Sequence, residues 1–158
     1  MLIGVHKQFV PDVLDGRKRQ SFRAYGKKKR LYRVGDDLQF YTGAYLPGVR
    51  KKLGDSVCTE AIDSRVENHI DHWRTDSQWT CVSRYGYWLV VIGGKVLNLF
   101  EADAAAVADG FENLMGFMQY IAPLKRSGPK KDKNIFRGQL IKWSDIKVDI
   151  GAMAWMER

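Results

Sequence analysis

The stretch Tyr87-Trp88-Leu89-Val90-Val91-Ile92 narrows the possible folds of this chain more than any other segment. It is a continuous run of aromatic and aliphatic residues, rich in β-branched side chains, bounded by the pair Gly93-Gly94. A run of that length and composition reads as a buried strand. Two glycines supply the positive φ angles of a two-residue hairpin, here leading into Lys95-Val96-Leu97. The chain must therefore build a sheet. Further strands are predicted at residues 2–10, ending in Gln8-Phe9-Val10, and at Gln20–Ala24, Asp37–Thr42, Asp55–Val66 and Phe136–Trp143.

Short helices punctuate these strands. Pro11 suits a first helical turn, so Pro11–Asp15 is one or two turns stopped by Gly16. Asn98 and Glu101 have the spacing of a capping box and open an alanine-rich helix that Gly110 ends. Asn113 can cap another helix, with Leu114, Phe117, Met118 and Ile121 on one face and Pro123 at its close. Charged or Gly/Pro-containing loops are predicted over 25–30, 43–48 and 125–134, and the polar segment Asn68–Thr80 has no assigned element. The expected fold is α+β: a small, partly closed, mixed or antiparallel β-barrel with short helices. The strands are too short and too polar on one face for a parallel α/β sheet.

With 158 residues the chain is read as one domain. No apolar run approaches the ~20 residues of a membrane span, and the N-terminus Met1–His6 lacks the pattern of a signal peptide. The two cysteines, Cys58 and Cys81, make no disulfide framework, so a cytoplasmic location is expected. The tail 144–158 carries Ile146, Val148, Ile150, Met153 and Trp155 and is expected to pack back on the body.

The net charge of +8 is unevenly placed. Arg17, Lys18, Arg19, Arg23, the run 27–30, Arg33 and Arg50-Lys51-Lys52 crowd the first third, and Lys125–Arg137 holds a second basic cluster. Such asymmetry favours a phosphate-bearing partner, with an inert basic surface as the alternative. Aromatic residues interleave the basic ones. Phe22 and Phe40 are read as core, whereas Tyr25, Tyr32 and Tyr45, in loops, are the better candidates for stacking on bases.

The segment Gly16–Arg23 carries the candidate chemistry. Lys18 and Ser21 are three residues apart, which on a strand would point them to opposite faces, so a turn or bulge at Lys18 is needed to bring them together. If they meet, Lys18 could act as base for Ser21 as nucleophile, with Arg17 or Arg23 holding an oxyanion or phosphate. Asp36 is read as a turn residue bonding its own backbone. His69 and His72 lack further ligands at zinc spacing, and Cys58 is read as packing. Trp73, Trp79 and Trp88 are read as covering the barrel.

Gly16-Arg17-Lys18-x-x-Ser21-x-Arg23 followed by Val34-Gly35-Asp36-x-Leu38 resembles the ASCH domain, whose fold is similar to the PUA domain. Tyr41-Thr42-Gly43, Arg50-Lys51-Lys52-Leu53-Gly54, Ala108-Asp109-Gly110-Phe111 and Leu140-Ile141-Lys142-Trp143 also look like a subset of ASCH proteins common in bacteria and their phages. The resemblance covers 1–143 as an ASCH-like domain and leaves 144–158 as a C-terminal tail; a phage protein would work in the host cytoplasm. It implies a small β-barrel with a cleft beside Gly16–Arg23 and a role in RNA binding or RNA-related chemistry. Some small bacterial members are amidohydrolases that deacetylate N4-acetylcytidine and are thought to use a lysine, a threonine and a glutamate. Matched motif to motif, the lysine falls on Lys18 and the threonine on Ser21. The glutamate falls on Met115 and Gly116, with Glu112 about a turn earlier as the nearby acid.

The expected function is RNA or nucleotide binding through a basic cleft. Lys18, Ser21 and Arg23 would line the pocket, Tyr41 would contact the ligand, and Arg17, Arg50, Lys51 and Lys52 would contact phosphates. The alternative is an amidohydrolase acting on N4-acetylcytidine or a related modified nucleoside, with Lys18, Ser21 and Glu112 as its catalytic residues. The expected ligand is single-stranded RNA or a modified nucleoside. No metal or other cofactor and no membrane are called for, and an acidic protein partner is a further option.

Overall fold

One strand of 19 residues, β4 (Lys51–His69), is the spine of the protein. The computed structural model describes residues 1–25, 31–43, 50–69, 87–121 and 135–149. The N-terminal half of β4 pairs with β3 (Asp37–Thr42) on one edge and β8 (Lys147–Val148) on the other. Its C-terminal half pairs with β5 (Tyr87–Ile92) and with β7 (Ile135–Trp143). Register shifts at Phe40/Tyr41 and at Cys58/Glu60 break the regular ladder along this strand, as bulges do. Beyond these, β1 (Leu2–Val5) joins β3 in parallel, β2 (Gln20–Ala24) joins β7, and β6 (Lys95–Val96) closes the hairpin with β5 through Gly93 and Gly94, both at positive φ.

The fold is α+β, with a mixed sheet and three short α-helices among the described residues. The sheet is not closed, because no ladder joins β1 to β2. The Arg23 guanidinium instead crosses that seam and donates to the Gly4 carbonyl at 2.9 Å. None of the described helices is long and apolar enough to cross a membrane.

Most sequence-derived elements occur where expected, but the first strand does not. It ends at Val5, and Gln8-Phe9-Val10 belongs to a 3-10 turn (Lys7–Phe9) and to helix α1 (Val10–Leu14). Pro11 occupies the first turn of α1, where its missing N–H costs nothing. Phe9, Val10 and Val13 are all buried, on one side of that helical path. Gly16 (φ 78°) then reverses the chain toward β2. The capping box predicted at Asn98 and Glu101 is formed and starts α2 (Leu99–Ala108). The Asn113 carboxamide accepts from the Gly116 N–H at 3.0 Å and starts α3 (Leu114–Ile121). Asp36 accepts from the Arg33 N–H at 2.9 Å, the local turn bond expected of it. Calls on 26–30, 44–49, 70–86, 122–134 and 150–158 lie outside the described residues, among them Tyr45, His72, Trp73, Trp79 and Pro123.

Two apolar clusters build the interior. The first joins β1, α1, β3 and the ends of β4 and β7 around Phe40, Leu38 and Trp143. The second packs α2 and α3 onto β2, β5 and β7 around Phe22, Phe117 and Leu140. Phe111, in the α2–α3 connection, packs against both. Ile146 and Val148 carry the chain beyond β7 back onto the first cluster. Cys58 is buried there, and burial pushes its thiol above the ordinary range, which fits a packing role.

Candidate functional site

A cavity of about 530 Å³ opens where the two clusters meet, beside the β1–β2 seam. Phe9, Phe22, Phe111, Phe117, Tyr120 and Trp143 are among the aromatic residues that line it. Phe111 stands edge-on to Phe9 and Phe117, with ring centroids 5.1 and 5.3 Å away. A volume of this size, apolar walls and a few polar groups fit the usual small-molecule pocket.

Lys18, Ser21 and Arg23 all line this cavity. The sequence places Lys18 and Ser21 on opposite faces unless the strand is broken, and the break is present. Lys18 precedes β2 in an irregular segment that follows Gly16, and its N–H is held by the Asp12 carbonyl at 2.7 Å. Its side chain is thereby released from strand alternation and enters the interior.

The Lys18 side chain is 5% exposed, and its ammonium binds both the carboxylate and the backbone carbonyl of Asp109. It also lies 4.9 Å from the centroid of the Phe9 ring, within cation–π range. Asp109 caps the C-terminus of α2, and its other carboxylate oxygen accepts from the Phe22 N–H at 3.2 Å. Gly110 (φ 84°) turns the chain immediately afterwards; a Cβ there would come within 3.2 Å of Lys18 Cδ and 3.3 Å of Phe9. Gln20 adds a second tie between β2 and α2, donating to the Ala105 carbonyl at 2.9 Å.

Burial dominates the electrostatics of the pair. It pushes the Lys18 ammonium below its ordinary range, against the attraction of Asp109. It pushes the Asp109 carboxyl above its ordinary range, against the attraction of Lys18. The proton between them is thus held less firmly by nitrogen than in water. Ser21 is buried, and its hydroxyl lies 3.5 Å from the Phe22 carbonyl, too long to occupy it.

The remaining sequence candidates lie elsewhere. Arg17 is outside the cavity, paired with Asp12 at 2.8 Å and Asp15 at 2.6 Å. The Arg50 guanidinium stacks on Tyr41 at 4.0 Å, and Lys52 pairs with Asp55 at 2.6 Å. With exposed Lys51, these residues form a basic patch at the end of the β3–β4 pair where the chain passes from one strand to the other. Register places the patch relative to the cavity. Val5 at the cavity wall pairs with Thr42, and Thr42 pairs with Lys51, so two strand spacings, about 10 Å, separate them.

The acid at Lys18 is Asp109, not Glu112. Glu112 is exposed, follows α2 and does not line the cavity. Glu60 is engaged by Lys142 at 2.9 Å, and Glu101 by Lys95 and its own capping box. One sequence signal could have found Asp109: a carboxylate at a helix C-terminus opposes the helix dipole and needs a compensating cation. The aromatic wall from the α2–α3 connection had no such signal. Among the described residues no group of three His, Cys, Asp or Glu side chains is placed to hold a metal ion.

Comparison of the chain with protein-family models, with curated proteins and with solved structures finds no match in any of the three.

Proposed function

We propose that this protein is an ASCH-type, PUA-like barrel, open along the β1–β2 seam, that binds single-stranded RNA by taking one nucleotide into the cavity. The observation that carries this reading is the convergence of Lys18, Ser21 and Arg23 on one aromatic-walled cavity of about 530 Å³. Aromatic faces stack on bases, and buried donors and acceptors read their edges. Arg50, Lys51 and Lys52, two strand spacings from the cavity wall, would contact the phosphates flanking a captured base.

Three phosphate contacts from that patch predict a slope of log affinity against log salt of about −2 for a single strand. Filter binding of a short RNA across a salt series measures it. Neutralising Arg50, Lys51 and Lys52 to glutamine should flatten the slope, while Ser21→Ala should weaken binding with the slope unchanged. Affinity that ignores salt would reject the reading.

A second reading is favoured by one specific observation. The Asp109 carboxylate at Lys18 supplies, beside Ser21, the acid that amidohydrolysis of N4-acetylcytidine calls for. Neutral Lys18 would take the Ser21 proton as the hydroxyl oxygen attacks the acyl carbon. The C–N bond then breaks, the amine leaves with that proton, and water hydrolyses the acyl-serine ester. Asp109 would hold the lysine in place and balance its charge when protonated. Wild-type protein incubated with N4-acetylcytidine should release cytidine and acetate, and both Lys18→Ala and Ser21→Ala should stop the release. A wild type that releases no cytidine removes this substrate.

A further inference from the structure

We infer that the cavity is built for a planar ring bearing an anionic oxygen group, a phosphate or a carboxylate, and that Arg23 is the residue that selects it. This rests on the nucleotide reading above and narrows it from a neutral nucleoside to a charged ligand. The first argument is charge. The charged side chains lining the cavity are Lys18, Asp109 and Arg23. Lys18 and Asp109 sum to zero whichever of them holds the shared proton. Arg23 keeps its charge under all ordinary conditions. The cavity therefore carries one positive charge that no lining carboxylate balances.

The second argument is hydrogen bonding. Arg23 spends one guanidinium N–H on the Gly4 carbonyl at 2.9 Å. Its Nε is buried and has no hydrogen-bond partner among the described residues. A buried donor on a charged group is costly to leave unmade. A guanidinium offering Nε–H beside further free hydrogens matches the paired oxygens of a carboxylate or phosphate. The third argument is placement. The Gly4 bond and the backbone pairing of Arg23 with Gln139 fix the guanidinium at the seam, beside the aromatic walls that would hold the ring.

Calorimetric titration of the full chain with cytidine, cytidine 5′-monophosphate, orotate and inorganic phosphate tests this. The monophosphate should bind at least about tenfold more tightly than cytidine, the gain expected of a charge-assisted bond. Orotate, a ring carboxylate, binding more tightly than the monophosphate would assign the anion to the ring itself; the reverse assigns it to the phosphate. Inorganic phosphate should compete with either, weakly. In Arg23→Gln the preference over cytidine should vanish. In Arg23→Lys, which keeps the charge but not the fork, part of the preference should remain. Equal wild-type affinity for cytidine and its monophosphate, with orotate no tighter, overturns the inference while leaving the nucleoside reading standing. That comparison needs no variant to fold. A preference that survives Arg23→Gln also overturns it, and failure of every ring compound to bind removes both readings.

Discussion

Replacing Asp109 with alanine is expected to lower stability by about 3–5 kcal/mol, because the change leaves the Lys18 ammonium buried without its counter-charge. The Phe22 N–H would lose its acceptor as well. The same pair should be dispensable when removed whole. Burial outweighs mutual attraction on both partners, pushing Lys18 down and Asp109 up, so the charges themselves do not repay their own desolvation. Lys18→Met combined with Asp109→Leu should therefore recover most of the loss seen in Asp109→Ala. Ligand binding and any deacylation should stay absent in that double variant. Urea denaturation midpoints measure the first part and titration with ligand the second. An Asp109→Ala protein as stable as wild type, or a double variant that still binds, would show that the pair is not the centre of the site.

The second large effect is expected at Gly138. This glycine lies in β7 between two partners, opposite Ala24 in β2 and Ser64 in β4. A Cβ there would sit 1.9 Å from the Arg23 carbonyl oxygen and 2.7 Å from its carbonyl carbon. Both are backbone atoms of a paired strand and cannot swing aside. Gly138→Ala should cost about 3 kcal/mol or more, the upper range for overpacking. Gly94→Ala is the matched control. It imposes a left-handed conformation at φ 81° but meets nothing within 4 Å, so about 1–2 kcal/mol is expected from backbone strain alone. Because the clash pushes on Arg23, Gly138→Ala should also weaken ligand binding in whatever fraction folds. A loss no larger than that of Gly94→Ala would mean that β2 can retreat freely from β7.

Both expectations turn on residues whose importance the linear chain shows poorly. Gly138 sits within Ile135–Trp143 as one small residue among apolar ones, and only the arrival of β2 makes its missing side chain necessary. Asp109 reads as the end of an alanine-rich helix next to a glycine. Its role appears when α2 is laid across β2 and its carboxylate meets a lysine 91 residues away in sequence. Glu112, the acid nearest the expected position along the chain, is exposed instead, which shows how little sequence distance constrains spatial distance beyond a helix end. Phe9 was legible as apolar but not as part of the cavity, because its segment was read as strand where Pro11 makes it helical.

The sequence by itself determined the elements whose causes are local. The Gly93-Gly94 hairpin, the Asn98–Glu101 capping box, the Asp36 turn and the glycine break before Lys18 each rest on neighbours within a few residues. It also determined that Lys18, Ser21 and Arg23 would lie close together, since they occupy one short segment. Only the tertiary structure decided what they face. Burial, the partnering of Lys18 with Asp109 and the unpaired Nε of Arg23 arise when α2, β1 and the aromatic connection close over β2. Desolvation and long-range pairing are properties of that enclosure, and no local pattern of residues encodes them.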